Sequence, residues 1–203
     1  MHMNKWRTIG GVTLALWFML GLGYPLVMTA ISQLLFPYQA SGSPVVWHGQ
    51  IVASAHVGQY FNAPQYFWGR PSDTVSATGQ PEPYNPMASG GSNLGPTNRA
   101  LIDRVRQRLL TWEQVTPGLA ARNIPASLVE GSGSGLDPDI TPAAADIQIP
   151  RVAHATGLSP VVLQDLITEA TSPPQWGIFG RTRVNVVKLN LLVAQLVASR
   201  KTG

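Results

Sequence analysis

The 203-residue chain has no cysteine. That excludes disulfides, thiolate nucleophiles and cysteine-ligated zinc. Charge is also scarce: Asp, Glu, Lys and Arg make up 12% of the residues, about half the usual share. None of the four types occurs between Thr8 and Gly69. Histidine is equally thin. His2, His48, His56 and His154 fall at no metal-ligand spacing and no HExxH is present, so no metal site is expected. The charge that remains leans basic, at net +4 with a pI near 9.8. Lys5 and Arg7 flank an apolar run; without them 12 basic residues face 10 acidic ones, a net of +2. Arg104, Arg106 and Arg108 recur at helical spacing beside Asp103, the pattern of a solvated helix face. With no lysine or arginine run able to neutralise several phosphates, nucleic acid is not expected as a partner.

Glycine and proline are abundant, at 20 and 17, yet they are interspersed with apolar runs and do not read as disorder. Gly131-Ser132-Gly133-Ser134-Gly135 fails as a nucleophile elbow, because the central position is Gly133 where a serine is needed. It fails as a phosphate loop too, since Leu136-Asp137-Pro138 follows where Lys and Ser or Thr should stand. It reads as a turn. Ser89-Gly90-Gly91-Ser92-Asn93 fits a tight turn or an anion-binding nest. Asp137 and Asp139 flank Pro138, where an aspartate bonds its own backbone. The aromatic cluster Tyr60-Phe61 and Tyr66-Phe67-Trp68, beside Arg70-Pro71, fits either a core corner or a partner-binding patch. No enzyme constellation survives this reading.

From Ile9 to Leu35 the chain is predominantly apolar over 27 residues, about 40 Å as a helix against a hydrocarbon core of about 30 Å. Ile9, Leu16 and Leu35 belong to its apolar surface, Gly21 and Gly23 allow close helix approach, and Tyr24-Pro25 predicts a kink. The run is too long for a signal peptide and ends in Phe36-Pro37-Tyr38-Gln39-Ala40, a poor cleavage site. It is therefore expected to stay in the lipid bilayer as residues 9–36. Positive charge before it and none after it until Arg70 puts residues 1–8 in the cytoplasm and 37–203 outside.

The rest predicts an α+β fold: a compact, mainly helical domain with a small β-sheet. Val45-Val46-Trp47, His48-Gly49 and Gln50–Ala53 read as a hairpin. Residues 61–97 read as a long ordered loop region. A helix capped by Asn98 carries Ile102, Val105, Leu109 and Trp112 on one face. Thr141-Pro142 and Ser159-Pro160 open further helices, Gly157 and Pro173-Pro174 close helices, and a short strand at 183–186 leads into a last helix with Leu189, Leu192, Leu196 and Val197 inward.

Several strings resemble the KdpC subunit of the Kdp potassium-transporting ATPase. They are Tyr66-Phe67-Trp68-Gly69-Arg70-Pro71-Ser72, Tyr84-Asn85-Pro86, Ser89 through Asn98, Gly131 through Pro138, Ile140 through Ala145, Gln148 through Ala153, and Val184-Asn185-Val186 with Leu189-Asn190-Leu191. They run in order along nearly the whole chain. The resemblance implies an accessory subunit of an ATP-driven potassium pump, not itself an enzyme, needed for assembly and activity. Its implied partners are a potassium-translocating subunit, an ATP-hydrolysing P-type subunit and a small stabilising peptide, and potassium is the transported ion. It also implies a catalytic chaperone that raises ATP affinity, with ATP contact inside the complex and no cofactor bound by the chain's own chemistry. On the matching strings the candidate contacts are Tyr66, Phe67, Trp68, Arg70, Tyr84, Asn85, Ser89, Gly90, Gly91, Ser92, Asn93, Gly133, Ser134, Gly135, Asp137 and Arg151. The alternative function is a free-standing, membrane-anchored extracytoplasmic binding module.

Overall fold

The structure, a computed structural model, describes residues 3–202 in two units that part between Val52 and Ala53; His2 lies outside the described residues. The first unit opens with one unbroken helical run: α1 (Met3–Phe18), a π-helical turn (Met19–Gly23) and α2 (Tyr24–Leu35). The π turn stands at the site of the predicted kink. In a regular helix the ring of Pro25 collides with the carbonyl four residues back and supplies no N–H. Widening the preceding turn relieves this, and the Tyr24 N–H donates to Met19 O. Gly21 and Gly23 both sit in that turn. From Lys5 to Leu35 the helix is 31 residues long, apolar and not buried within the protein. Length and composition suit it to cross a membrane. Phe36 breaks it, and Pro37 starts the single turn α3 (Pro37–Ala40). The predicted hairpin follows as β1 (Pro44–Trp47) and β2 (Gln50–Ser54), joined through His48 and Gly49, both at positive φ. That is the backbone a two-residue hairpin turn demands.

In the second unit the predicted loop region has no helix longer than the 3₁₀ turn Pro86–Ala88. Beyond it α4 (Arg99–Val115) starts where the Asn98 carboxamide accepts the Ala100 N–H at 2.9 Å, and it buries Trp112. The next elements are β3 (Asp139–Ile140), α5 (Pro142–Asp146) and α6 (Ile149–Thr156). Then come α7 (Pro160–Ala170), β4 (Thr171–Ser172), β5 (Arg183–Asn185) and α8 (Val186–Thr202). The predicted caps work as expected: Thr141 accepts from the Ala144 N–H, Ser159 from the Val162 N–H, and Gly157 ends α6 in the left-handed region. The sheet is antiparallel in the order β3-β5-β4, with Val184 of the central strand opposite Ile140 on one side and Thr171 on the other. Val186, expected in the strand, begins α8 instead. One apolar core joins these elements, with Phe67, Leu128, Val152, Leu163, Ile167, Val184, Leu189 and Val193 all buried. The fold is thus α+β, with one long N-terminal helix, a mainly helical second unit and small sheets.

Candidate functional site

The aromatic cluster is organised by two buried carboxamides. Phe67 lies fully in the core, and its backbone is read by Asn190 of α8: the Phe67 N–H donates to Asn190 Oδ1 at 2.7 Å, and Asn190 Nδ2 donates to Phe67 O at 2.9 Å. Gln148 does the same for the next residue, accepting from the Trp68 N–H at 2.8 Å and donating to Trp68 O at 3.1 Å. Two side chains thereby supply what a neighbouring β-strand would, so an irregular segment can be buried with its polar groups paired. Arg151 of α6 closes the arrangement. It donates to Pro64 O, Tyr66 O and Gln148 Oε1, and its guanidinium lies 4.2 Å from the Trp68 ring centroid, a cation–π contact. Burial pulls its pKa down to about 10, which leaves it cationic at neutral pH. Tyr66 stacks at a tilt on Phe61, with centroids 5.5 Å apart.

Arg70 ties the following residues to the turn at 131–138. It pairs with Asp137 at 3.2 Å and donates to Gly131 O. The other Asp137 oxygen accepts the Asp139 N–H at 3.0 Å, the local backbone bond expected of it. Asp139 pairs with Arg183 at 2.9 Å, yet burial still holds its carboxyl above the usual aspartate value. Tyr84, at φ +61°, donates its hydroxyl to Arg70 O at 2.7 Å. Its ring lies against Gly58 and Gly69. A methyl on Gly69 would stand 2.6 Å from the Tyr84 hydroxyl, and one on Gly58 would run into the ring and stand 2.9 Å from Asp137 O. Burial first, and the Asp137 charge second, push the Tyr84 phenol well above the ordinary tyrosine value.

The two glycine-rich stretches meet. The Gly90 N–H and the Ser89 hydroxyl both donate to Ser134 O, at 2.8 and 3.0 Å. A methyl on Gly91 would crowd Gly133 O and Ser132 O at 3.2 Å. Gly135, at φ +68°, faces Gly90 O and Thr74. Ser92 accepts the Leu94 N–H, and Asn93 sits at φ +52°. Asn85 caps the turn at 86–88, accepting the Met87 N–H at 2.9 Å. Nearby Asp73 receives Arg104 and Arg108 at 3.1 and 3.0 Å. The predicted solvated arginine face therefore holds only in part: Arg106 pairs with Asp103 on the exposed side, while Arg108 is half-buried and also donates to Val129 O.

Between α4 and the aromatic segment lies a cleft of about 360 Å³ walled by Tyr60, Phe61, Trp68, Tyr84 and Trp112, with Arg70 and Arg108 at its margin. Its carboxylate neighbours Asp73 and Asp137 are engaged by arginines. The Ser132 and Ser134 hydroxyls accept from backbone N–H groups of Gly135 and Leu136. Among the described residues neither hydroxyl bonds a histidine or a carboxylate, and no group of three His, Cys, Asp or Glu side chains is arranged to hold a metal ion.

The KdpC family, described as the K⁺-transporting ATPase c chain, matches residues 7–195. The chain belongs to this family. It is 50% identical to the potassium-transporting ATPase KdpC subunit of Variovorax paradoxus (strain S110) over 180 residues, 89% of this chain and 90% of the relative. The KdpC subunit of Burkholderia mallei (strain SAVP1) is 50% identical over 171 residues, 84% of this chain and 86% of that one. The Burkholderia orbicola (strain MC0-3) subunit is 48% identical over the same span.

Set against the KdpC candidates, Tyr66, Phe67, Trp68, Arg70 and Arg151 come together in one interlocked cluster. Tyr84 and Asp137 join it through Arg70, and Ser89–Asn93 with Gly133–Gly135 form the adjoining loop pair. Ile9, Leu16, Gly21, Gly23 and Leu35 belong to the long helix of the first unit. Sequence reasoning gave no role to Gln148, Asn190, Asp73 or Gly58, and placed Trp112 only on the apolar face of a helix. The available signal for Asn190 was a lone carboxamide in the otherwise apolar run from Leu189 to Val193, a position that is costly to bury unless both its donor and its acceptor are used.

Two outcomes follow for the stability of the chain. Asn190→Ala leaves the Phe67 N–H and C=O buried without partners and should cost about 2–5 kcal/mol, read as a lower urea midpoint of the detergent-solubilised chain. Tyr84→Phe should remove a pH dependence. The folded phenol holds its proton more tightly than the unfolded one, so its contribution is complete below about pH 10 and declines as pH rises beyond that. Urea midpoints measured up the alkaline range should fall more steeply for the wild type than for Tyr84→Phe; parallel curves would contradict the assignment.

Proposed function

We propose that the chain is a non-catalytic accessory subunit of an ATP-driven potassium pump, needed for its assembly and activity. The observation that carries this reading is the family match from residue 7 to 195. It takes in most of the apolar helix together with the domain, which supports reading the helix as the subunit's membrane anchor. The relatives bear the name potassium-transporting ATPase KdpC subunit, and the partners are the potassium-translocating subunit, the ATP-hydrolysing P-type subunit and the small stabilising peptide of such a complex.

Lys5 and Arg7 lie in the first turns of the helix, ahead of its uncharged stretch, and no Lys or Arg follows until Arg70, which favours a cytoplasmic N-terminus and an extracytoplasmic domain. On this topology the domain lies at the outer mouth of the potassium pathway, and ATP is bound on the other side by the hydrolysing subunit. An effect on ATP affinity then passes across the membrane as a coupling free energy, typically about 1–3 kcal/mol. The contacts between Ser89–Asn93 and Gly131–Gly135 support a structural use for both loops, because the Gly90 N–H already donates to Ser134 O.

Because the chain has no cysteine, Gln107→Cys on the exposed side of α4 gives a unique thiol. A membrane-impermeant maleimide should label it on spheroplasts without lysis. Labelling only after lysis would put the domain in the cytoplasm and favour direct nucleotide contact. Mild detergent extraction of the tagged chain should bring out pump-sized partners in stoichiometric amounts; recovery of the chain alone would favour a free-standing binding module.

A further inference from the structure

Between β4 and β5 the chain makes a tight, apolar loop from Pro173 to Gly180. Gln175 and Phe179 close it with two backbone bonds, Gln175 N–H to Phe179 O at 2.8 Å and Phe179 N–H to Gln175 O at 3.0 Å. Three large apolar residues stand at its tip with little cover: Trp176 is 81% exposed, Ile178 78% and Phe179 60%. The Trp176 and Phe179 rings pack edge to face, with centroids 6.1 Å apart, so the tip presents one joined apolar surface. Trp176 also sits at φ +53°, a conformation unusual for a bulky side chain. The loop is therefore closed and locally strained, and it shows its apolar side outward. Such exposure in a folded domain marks a contact surface.

The charge around the loop identifies what it contacts. From Ala170 to Gly203 there is no Asp or Glu, while Arg181, Arg183, Lys188, Arg200 and Lys201 are all basic. Arg181 and Arg183 directly follow the apolar tip and are exposed; Arg183 pairs with Asp139. Asp137 and Asp139 lie on the same side as Arg181 but are engaged by Arg70 and Arg183. Tryptophan and phenylalanine at a tip with Arg181 behind them is the chemistry of a segment at a lipid–water interface, where apolar groups reach the acyl boundary and cations meet anionic headgroups.

We propose that the Pro173–Gly180 loop is a second, interfacial membrane contact: Trp176, Ile178 and Phe179 enter the headgroup–acyl boundary, and Arg181 binds anionic phospholipid headgroups. The proposal rests on the reading above that the N-terminal helix spans the bilayer, because that tether keeps a membrane within reach of the domain and raises its effective concentration at the loop.

The test uses the full chain in phosphatidylcholine–phosphatidylglycerol vesicles with a nitroxide on one introduced cysteine. Ile178→Cys probes the loop, Leu26→Cys in α2 probes the span, and Val161→Cys on the exposed side of α7 is the aqueous reference. Collision with oxygen, enriched in lipid, is compared with collision with a water-soluble nickel chelate. The Ile178 label should favour oxygen, as the Leu26 label does, and the Val161 label should favour nickel. Adding Arg181→Gln should shift the inserted-to-free population of the Ile178 label about fivefold toward water, as expected for losing one interfacial cation. An Ile178 label that behaves like Val161 while Leu26 stays in lipid overturns the proposal and leaves the anchor reading standing. Leu26 and Ile178 both in water overturn the two together. An Ile178 label that is aqueous in the isolated chain but shielded from both reagents in the assembled pump overturns it in favour of a protein partner.

Discussion

The second unit depends on the pairing of one irregular backbone segment with side-chain amides. Between β2 and α4 more than forty residues run without a helix longer than a single turn or a strand of any length, yet Phe67 in their midst is fully buried. Backbone N–H and C=O groups taken into a core must be paired. Asn190 and Gln148 meet that demand from α8 and from the start of α6, across sequence separations of 123 and 80 residues. Because each amide uses both its donor and its acceptor, it fixes position and direction together. Trp68 is thereby set against Trp112 at a centroid distance of 5.2 Å and under Arg151, and the wall of the aromatic cleft follows from that placement.

A second organising principle is economy of charge. With only ten acidic side chains, the domain uses Asp73, Asp137 and Asp139 as acceptors at junctions, each facing an arginine from a distant part of the chain. Asp73 joins α4 to the corner at Gly131, where a methyl would stand 2.5 Å from its carboxylate. Asp137 and Tyr84 join the aromatic segment to the same turn. Half-buried pairs of this kind contribute chiefly by fixing register, since desolvation offsets much of their attraction. The loops that look most like ligand cradles in a linear reading are thus also the places where distant segments are pinned together.

Much of this was legible from local signals. Asn98, Thr141-Pro142, Ser159-Pro160 and Gly157 mark helix ends through chemistry that acts within four residues, and the structure places the ends there. His48-Gly49 announced the hairpin for the same reason. The long apolar helix was visible from composition. What escaped the sequence acts at long range. No periodicity says that Arg108 turns toward Asp73 while Arg106 faces outward, or that the Ser89–Asn93 and Gly131–Gly135 stretches lie against each other. Trp68, Gly69 and Arg70 could be marked as notable, but core corner and partner patch stay indistinguishable until Phe67 is seen pointing inward and Trp68 lining a cleft. The family strings contain Gln148 and Asn190, but nothing in them says that these two carboxamides hold the backbone of Phe67 and Trp68.

The π turn at Met19–Gly23 has a geometric consequence for the long helix. Accommodating one extra residue before Pro25 advances the later side chains by about 100° relative to an unbroken α-helix. A stripe of side chains along α1 is therefore out of phase with the one that continues along α2. A straight neighbouring helix that follows one stripe through the first half loses it in the second. The two halves of the same rod present differently oriented faces, as two short helices joined end to end with a twist between them would.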